Sequence, residues 1–421
     1  MTKLKPYNEY KTSGIEWLAE IPADWAVRPF RHAFRESSEV NGDSPVGKML
    51  SISGYRGVEI KKYDDENQRR TEAEVATYRV VRPGQLAVNT MWLNYGGLGV
   101  SELTGHVSPA YRTYWIDESF ERRYLHHLMR SATYIDAYTS RLTGIRPNSL
   151  QMSRDNLMVF PILKPPRAIQ RSIADFLDRE TAEIDAFIAD QEELIGLLAE
   201  RRAATISHAV TKGLDPTVPM KDSGVEWIGE IPTHWRLPRL AYVARCSSGL
   251  GMDASQLRAD QSEAAPFAVY GGNGVIGFGA LHNMAAGGIA IGRVGALCGN
   301  AHVICEESWV TDNALRLVLD TSKVDQAYLH DVLVARRLNE LADKTAQPLI
   351  TGGAVLAQQV PEPPLGEQRA IASYLRRETA EYDAAIADAK EAIALSRERR
   401  AALISAAVTG KIDVREHGAV A

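Results

Sequence analysis

Three stretches of the chain carry residue types at spacings that can do chemistry. In FAVYGGNGVIGFGA (267–280), Gly272, Gly274 and Gly277 fall on the G-x-G-x-x-G spacing that cradles a dinucleotide. That chemistry also needs a helix opening at the third glycine and an acid about 20 residues further on. The continuation instead holds Gly279, Gly287, Gly288, Gly292, Gly295 and Gly299, each costing a helix interior roughly 1 kcal/mol, and no acid lies between Glu263 and Glu306. The segment predicts tight hairpins, with glycine supplying positive φ between short strands. In GDSPVGKM (42–49), Gly42, Gly47 and Lys48 match a P-loop until Met49 stands where a Ser or Thr would hold magnesium; this too reads as a turn. Cys298, His302 and Cys305 are close enough in sequence for a metal, but they fit no common zinc spacing and lack an evident fourth ligand.

Chemistry is therefore not the strongest signal, and composition sets the frame. The 421 residues are enough for two or three domains, and 45% apolar with 24% charged residues is a globular balance. The start, MTKLKPYNEYKTSG, has no apolar core of a signal peptide, and no apolar run approaches the length of a bilayer span; a cytoplasmic location is expected. Cys246, Cys298 and Cys305 cannot all pair among themselves and read as reduced thiols. Net charge is −5, yet residues 1–166 hold 22 basic and 19 acidic side chains while 167–235 hold 7 and 13. The acid is concentrated in one segment, so the balance neither demands nor excludes nucleic acid, which needs only a local basic surface.

Internal repetition decides the organisation. KTSGIEWLAEIPADW (11–25) returns as KDSGVEWIGEIPTHW (221–235), an offset of 210. The 45 residues 171–215 return as 369–413 at an offset of 198, while 26–166 and 236–364 show little similarity to each other. The chain reads as opening motif, variable domain and helix, twice over. The boundaries are 1–166 for the first motif and domain, 167–213 for the first helix, 214–364 for linker, second motif and second domain, 365–412 for the second helix, and 413–421 for a tail.

Each repeated long segment predicts a helix, entered after KPPR (164–167) or EPPLGEQ (362–368) and free of proline inside. Apolar residues recur at Ile173, Leu177, Ile184, Ile188 and Ile195, and again at Ile371, Leu375, Tyr382, Ile386 and Ile393. Steps of four and seven keep one stripe in line, as in antiparallel partners packed through their seams. The ends, RRAATISHAV and RRAALISAAV, are apolar on more than one face. This predicts a further contact at Ile206, Val210, Leu403 and Ile404, where a docked subunit is expected. The variable stretches read as mixed α/β domains. Strands are predicted in YRVVRPGQLAVNT, PAYRTYWID, GGIAIGRVG, AHVIC and ALRLVLD, and one helix in each of ERRYLHHLMRSATYIDAYTSR (121–141) and DQAYLHDVLVARRLNELADK (325–344). The expected fold class is α/β (α+β): two domains of short strands and helices joined by two long antiparallel coiled-coil helices, a pseudo-twofold tandem duplication.

With SGIEW…EIP..W, SGVEW…EIP..W, VPEPPLGEQRAIASYL and GRVGALCG in place, nearly the whole chain resembles the specificity subunit of type I restriction-modification enzymes, the HsdS family. The first copy departs from it in KPPRAIQRSIADFL, which lacks the PLGEQ wording but keeps Gln170 and Arg171. The resemblance implies a non-catalytic, DNA-binding chain with two target-recognition domains, each reading half of a bipartite duplex site. It further implies helices that dock two methylation subunits, with restriction subunits in the full complex. No cofactor is expected in this chain; S-adenosylmethionine, ATP and magnesium belong to the partners. No Asp-Pro-Pro-Tyr or Asn-Pro-Pro-Phe motif and no complete P-loop occurs in the sequence. Two other classes compete: a free-standing nucleotide-binding enzyme using the Gly272–Gly277 loop, and a coiled-coil interaction protein without a DNA role.

Base reading favours Arg and Lys on guanine, and Asn and Gln on adenine, with Tyr and Lys positioning on the backbone. On predicted loops these are Tyr55, Arg56, Lys61, Lys62, Asn89, Asn94 and Tyr95 in the first domain, and Asn273 and Arg293 in the second. After the domain helices, LTGIRPNSL and DKTAQPLIT add Arg146 and Asn148 on one side, Lys344 and Gln347 on the other. Aligning the prolines sets Arg146 opposite Gln347, an exchange suited to two different half-sites.

Overall fold

A computed structural model describes residues 5–54, 57–63, 71–144, 150–342 and 348–415. It divides into two compact units, residues 1–191 with 391–421 and residues 192–390. The division does not follow the repeat boundaries. Each unit takes one variable domain and part of both long helices.

In the first unit, β1 (Tyr10–Ile15) and β2 (Leu18–Pro22) form the hairpin of the opening motif. β3 (Ala26–Pro29) pairs with β12 (Pro161–Lys164), closing the domain where the chain enters and leaves it. Between them lie β4 (Phe34–Glu36), β5 (Lys48–Ser53), β6 (Gly57–Ile60), the short helix α1 (Glu72–Val75), β7 (Arg79–Val81), β8 (Gln85–Asn89), β9 (Leu98–Val100), β10 (Gly105–Val107) and β11 (Tyr111–Ile116). Two four-stranded sheets result, in the orders β4-β11-β8-β9 and β6-β5-β10-β7. β8 is buried at all five positions, because it is covered on both faces. Leu86 and Val88 enter the main core, while Ala87 joins Leu50, Val81 and Val107 between the sheets.

Helices α2 (Arg122–Met129), α3 (Ala132–Thr139) and α4 (Arg154–Met158) follow. The sequence predicts one helix over 121–141; the structure breaks it at Arg130 and Ser131, the latter with extended backbone before α3.

The second unit opens with the hairpin of β13 (Met220–Asp222) and β14 (Glu230–Pro232). Its strands β15 (Ala244–Ser248), β16 (Phe267–Gly271), β17 (Gly274–Gly279), β18 (Gly288–Gly292), β19 (Ala301–Ile304), β20 (Ser308–Val310) and β21 (Ala314–Leu319) build sheets ordered β15-β21-β18-β19 and β17-β16-β20. β18, like β8, is buried at every position. The predicted helix over 325–344 ends early: α6 (Gln326–Arg336) is stopped by Arg337 in the left-handed region at φ 49°, a single 3₁₀ turn follows, and α7 (Gly352–Leu356) lies beyond.

The long helices are α5 (Arg167–Lys212) and α8 (Leu365–Val408). Both are entered from a Pro-Pro pair, and Gly213 and Gly410, at φ 76° and 75°, end them, as glycine does past a helix C-terminus. Within the first unit Arg400 meets Asp185 at 2.9 Å, and within the second Arg202 meets Asp383 at 2.9 Å. The offset of 198 relates these two pairs. Each shows the start of one helix running antiparallel to the end of the other. Of the seam residues, Ile173 and Leu177 belong to the first core and Ile371 and Leu375 to the second. Ile184, Ile188 and Ile393 are buried, whereas Ile195, Tyr382 and Ile386 are half-buried, with the Tyr382 hydroxyl 3.4 Å from that of Thr205.

The apolar helix ends require a correction. Ile206 and Val210 sit in the core of the second unit with Ile231 and Trp235 of the opening motif, and Ile404 sits in the first core with Ile21 and Trp25, with Leu403 half-buried against it. Tyr10 donates its hydroxyl to the carbonyl of Gly410 at 2.9 Å, and a Cβ at Gly410 would collide with Pro22. The second apolar face is thus covered from inside the unit, which removes these four residues from an exposed docking surface.

Candidate nucleic-acid interface

In each unit the chain leaves the fully buried central strand into a loop, which carries Asn94 and Tyr95 of the sequence-predicted readers in the first unit and Arg293 in the second. Asn89, the last residue of β8, is buried and accepts the amide of Met91 on Oδ1 at 3.2 Å. It shapes the turn, so its expected role at bases is corrected to a structural one. Leu93, fully buried, anchors one 3₁₀ turn. Gly96 closes it at φ 69°, and a Cβ at Gly97 would come 2.7 Å from the Trp92 carbonyl.

This leaves Trp92 57% and Tyr95 63% exposed, their rings 5.4 Å apart. Trp92 is the residue that sequence reasoning missed, although it lies between the named Asn89 and Asn94. Asn94 is half-buried, and its Oδ1 has no partner among the described residues.

Gly54, just past β5, abuts this loop: a Cβ there would collide with the carbonyl of Tyr95. Arg130, released from α2, donates from Nη1 to the carbonyls of Ser53, Gly96 and Leu98 at 3.2, 3.1 and 2.6 Å, and from Nη2 to that of Gly54 at 2.8 Å. Burial, with the charge of Arg400, pushes its guanidinium down to about 10, so it remains a cation at neutral pH. Beside it, His126 accepts the amide of Val100 on Nδ1 at 3.3 Å; burial first, then Arg130 and His127, push its imidazole down to about 3. Lys61 lies over the Tyr63 ring at 5.1 Å and Lys62 is exposed, both beyond the far end of β6 from Gly54.

The second unit builds the same place differently. Arg293 follows β18, takes the carbonyl of Asn313 with its amide at 2.9 Å and that of Asp312 with Nη1 at 3.4 Å. Asn273 occupies the two-residue turn between β16 and β17 and accepts Nδ2 of Asn300 at 3.1 Å. A Cβ at Gly292 would collide with the carbonyl of Gly272, so backbone meets backbone where the first unit uses Arg130.

Tyr55, Arg56, Arg146, Asn148, Lys344 and Gln347 lie outside the described residues. Their flanks are placed alike. Met152 donates to the carbonyl of Thr90 at 3.2 Å, and Ile350 to that of Arg293 at 2.9 Å. In both units the segment following the undescribed stretch therefore pairs with the loop after the central strand.

The competing chemistry is corrected by the fold. Gly272, Gly274 and Gly277 belong to the antiparallel β16–β17 hairpin, with no helix opening at the third glycine, and Lys48 begins a strand. Among the described residues no group of three His, Cys, Asp or Glu converges as metal ligands, and no helix is long and apolar enough to cross a membrane.

No family model matches the chain. It is 28% identical over 137 residues to the type I restriction enzyme EcoprrI specificity subunit of Escherichia coli. That match covers 32% of this chain and spans 34% of the relative's length. Among solved structures, a chain from work on complex assembly and conformational transition of the type I R-M system aligns with a TM-score of 0.67 at 18% identity, over 93% of this chain and 99% of that one. The HsdS subunit from Thermoanaerobacter tengcongensis aligns over 96% of this chain and 100% of that one, at 18% identity and a TM-score of 0.48. The chain thus shares its fold with a chain of a type I R-M system and, over about a third of its length, is similar in sequence to a type I restriction enzyme specificity subunit.

Proposed function

We propose that this chain gives a type I restriction-modification complex its DNA sequence specificity and is itself non-catalytic. The first unit reads one half of a bipartite duplex site and the second unit the other. One observation carries the reading: the loop after the buried central strand is built at the same place on the same framework in both units, yet it presents Trp92, Asn94 and Tyr95 in one and Arg293 in the other. A shared scaffold with different tips is what two readers of two different sequences require. Exchanging residues 26–166 for the variable domain of a related chain tests it. Methylation profiling should show one half of the site changed and the other kept; if both halves change, two independent readers are ruled out.

Two methylation subunits bind along the long helices and supply S-adenosylmethionine and the transfer itself, while ATP and magnesium serve restriction subunits in the full complex. The assembly works on cytoplasmic DNA. With Ile206, Val210 and Ile404 covered, docking falls to the exposed faces. Leu197 on α5 and Leu395 on α8 are 56% and 58% exposed and stand at positions related by the repeat offset, which suits one kind of partner bound twice.

A further inference from the structure

Arg130 joins the end of β5 to the loop that carries Trp92 and Tyr95, candidate contacts of the first unit. Its guanidinium has no side-chain acceptor among its partners: all four are backbone carbonyls, of Ser53 and Gly54 on one turn and of Gly96 and Leu98 on the other. Ser53 and Gly54 immediately precede Tyr55 and Arg56; Gly96 immediately follows Tyr95. Carbonyls at the ends of strands converge their negative dipoles on one point, and a planar guanidinium with several N–H groups is the side chain that can meet them together. A lysine ammonium donates from a single atom and lacks the second nitrogen that here reaches the carbonyl of Gly54.

The break in the predicted helix coincides with this residue. Arg130 stands where α2 ends, and the next residue, Ser131, is extended before α3 restarts. The second unit lacks the device: aligning the shared Tyr-Leu-His at 124–126 with that at 328–330 puts Val334 opposite Arg130, and Val334 is exposed.

We propose that Arg130 is a positioning residue for base recognition: it fixes the 92–96 loop against the end of β5, so that Trp92 and Tyr95 meet DNA as one rigid surface. This rests on the DNA-reading assignment above. A contact surface fixed before binding discriminates better than a moving loop, because the loop would otherwise lose conformational freedom on binding and adapt to a wrong base.

The test uses the full chain assembled with its cognate methylation subunits, acting on duplex libraries randomised in one half-site at a time, with methylated positions read by sequencing. R130M should cut discrimination roughly tenfold in the half read by the first unit, R130K should cut it less, and neither should alter the other half. A purely structural role would lower methylation at both halves together without relaxing sequence preference. Equal relaxation at both halves, or unchanged discrimination in an assembled R130M complex, overturns the proposal. Should R130M fail to assemble, R130K is read for the same two outcomes. A wild-type complex with no bipartite preference would sink the DNA-reading assignment and this proposal together, whereas a wild-type bipartite preference that survives R130M sinks the proposal alone.

Discussion

Gln368 accepts the amide of Asp325 on Oε1 at 2.8 Å, while its Nε2 donates to the carbonyls of Lys323 and Pro363 at 3.0 and 2.9 Å. In the first unit Gln170 makes the corresponding bonds, to the amide of Glu121 at 2.7 Å and to the carbonyls of Pro165 and Ser119 at 2.8 and 3.3 Å. Both side chains are fully buried. Each ties the first turn of a long helix to the start of its domain helix and to the Pro-Pro approach.

Replacing Gln368 by Ala would leave three backbone groups without partners, at about 1–3 kcal/mol for each group left buried. We expect Q368A to destabilise the second unit by about 3 kcal/mol, read as a fall in urea midpoint and faster amide exchange around Asp325. A loss below about 0.5 kcal/mol, the size of an ordinary surface change, would show that water replaces the amide without cost.

Much of this was legible in the sequence, because duplication doubles every signal. The Gln-Arg pair survives in both copies, and both long helices announce themselves through Pro-Pro entrances, a seam at steps of four and seven, and glycine stops at Gly213 and Gly410. What could not be read was which partner covers an apolar face. Ile206 and Ile404 look like docking residues along the chain, since the opening motif that covers each lies far away in sequence or in the other repeat. The helix breaks at Arg130 and Arg337 were hidden for a similar reason: nothing local opposes the helix, and the four carbonyls that hold Arg130 come from distant turns. Asn89 failed as a reader because a side chain at the end of a buried strand serves its own turn first.

The helix faces now separate into two predictions. I206D places a charge where the side chain is 2% exposed, so folding of the second unit should be lost or weakened by at least about 3 kcal/mol before assembly is affected. L197K and L395K should leave thermal stability within about 0.5 kcal/mol of wild type while each removes one methylation subunit, with both lost in the double variant. Native mass spectrometry with the cognate partner decides. Two bound copies in the double variant would place docking elsewhere.

His126 makes stability depend on pH with a definite sign. Its folded imidazole is pushed down to about 3, whereas an unfolded histidine titrates near 6.5. Between those values the unfolded chain binds the additional proton, so its contribution is fully present above about pH 6.5 and declines as the pH falls towards 3, by at most about 1.4 kcal/mol per pH unit. Protonation also removes the acceptor that Nδ1 offers to Val100. Urea unfolding at pH 7 and pH 5 should show a steeper loss for wild type than for H126Q. Equal losses would mean that the ring is hydrated and titrates normally.

Rigid helices make spacer length the most direct consequence of the proposed function. The ion pairs Asp185–Arg400 and Arg202–Asp383 leave residues 186–201 of α5 and 384–399 of α8 between them on each helix. Seven residues inserted after Gln191 in α5 and after Ala389 in α8 fall inside both intervals and preserve the apolar stripe. They add about 10 Å along each axis, or roughly three base pairs at 3.4 Å each. The complex should then methylate sites with both half-sites unchanged and a longer unread gap, at reduced rate because the added length also rotates one half-site around the duplex. A single-residue insertion turns the stripe by about 100° and should abolish assembly. An active seven-residue variant that keeps the wild-type gap would show that the helices do not set the spacing.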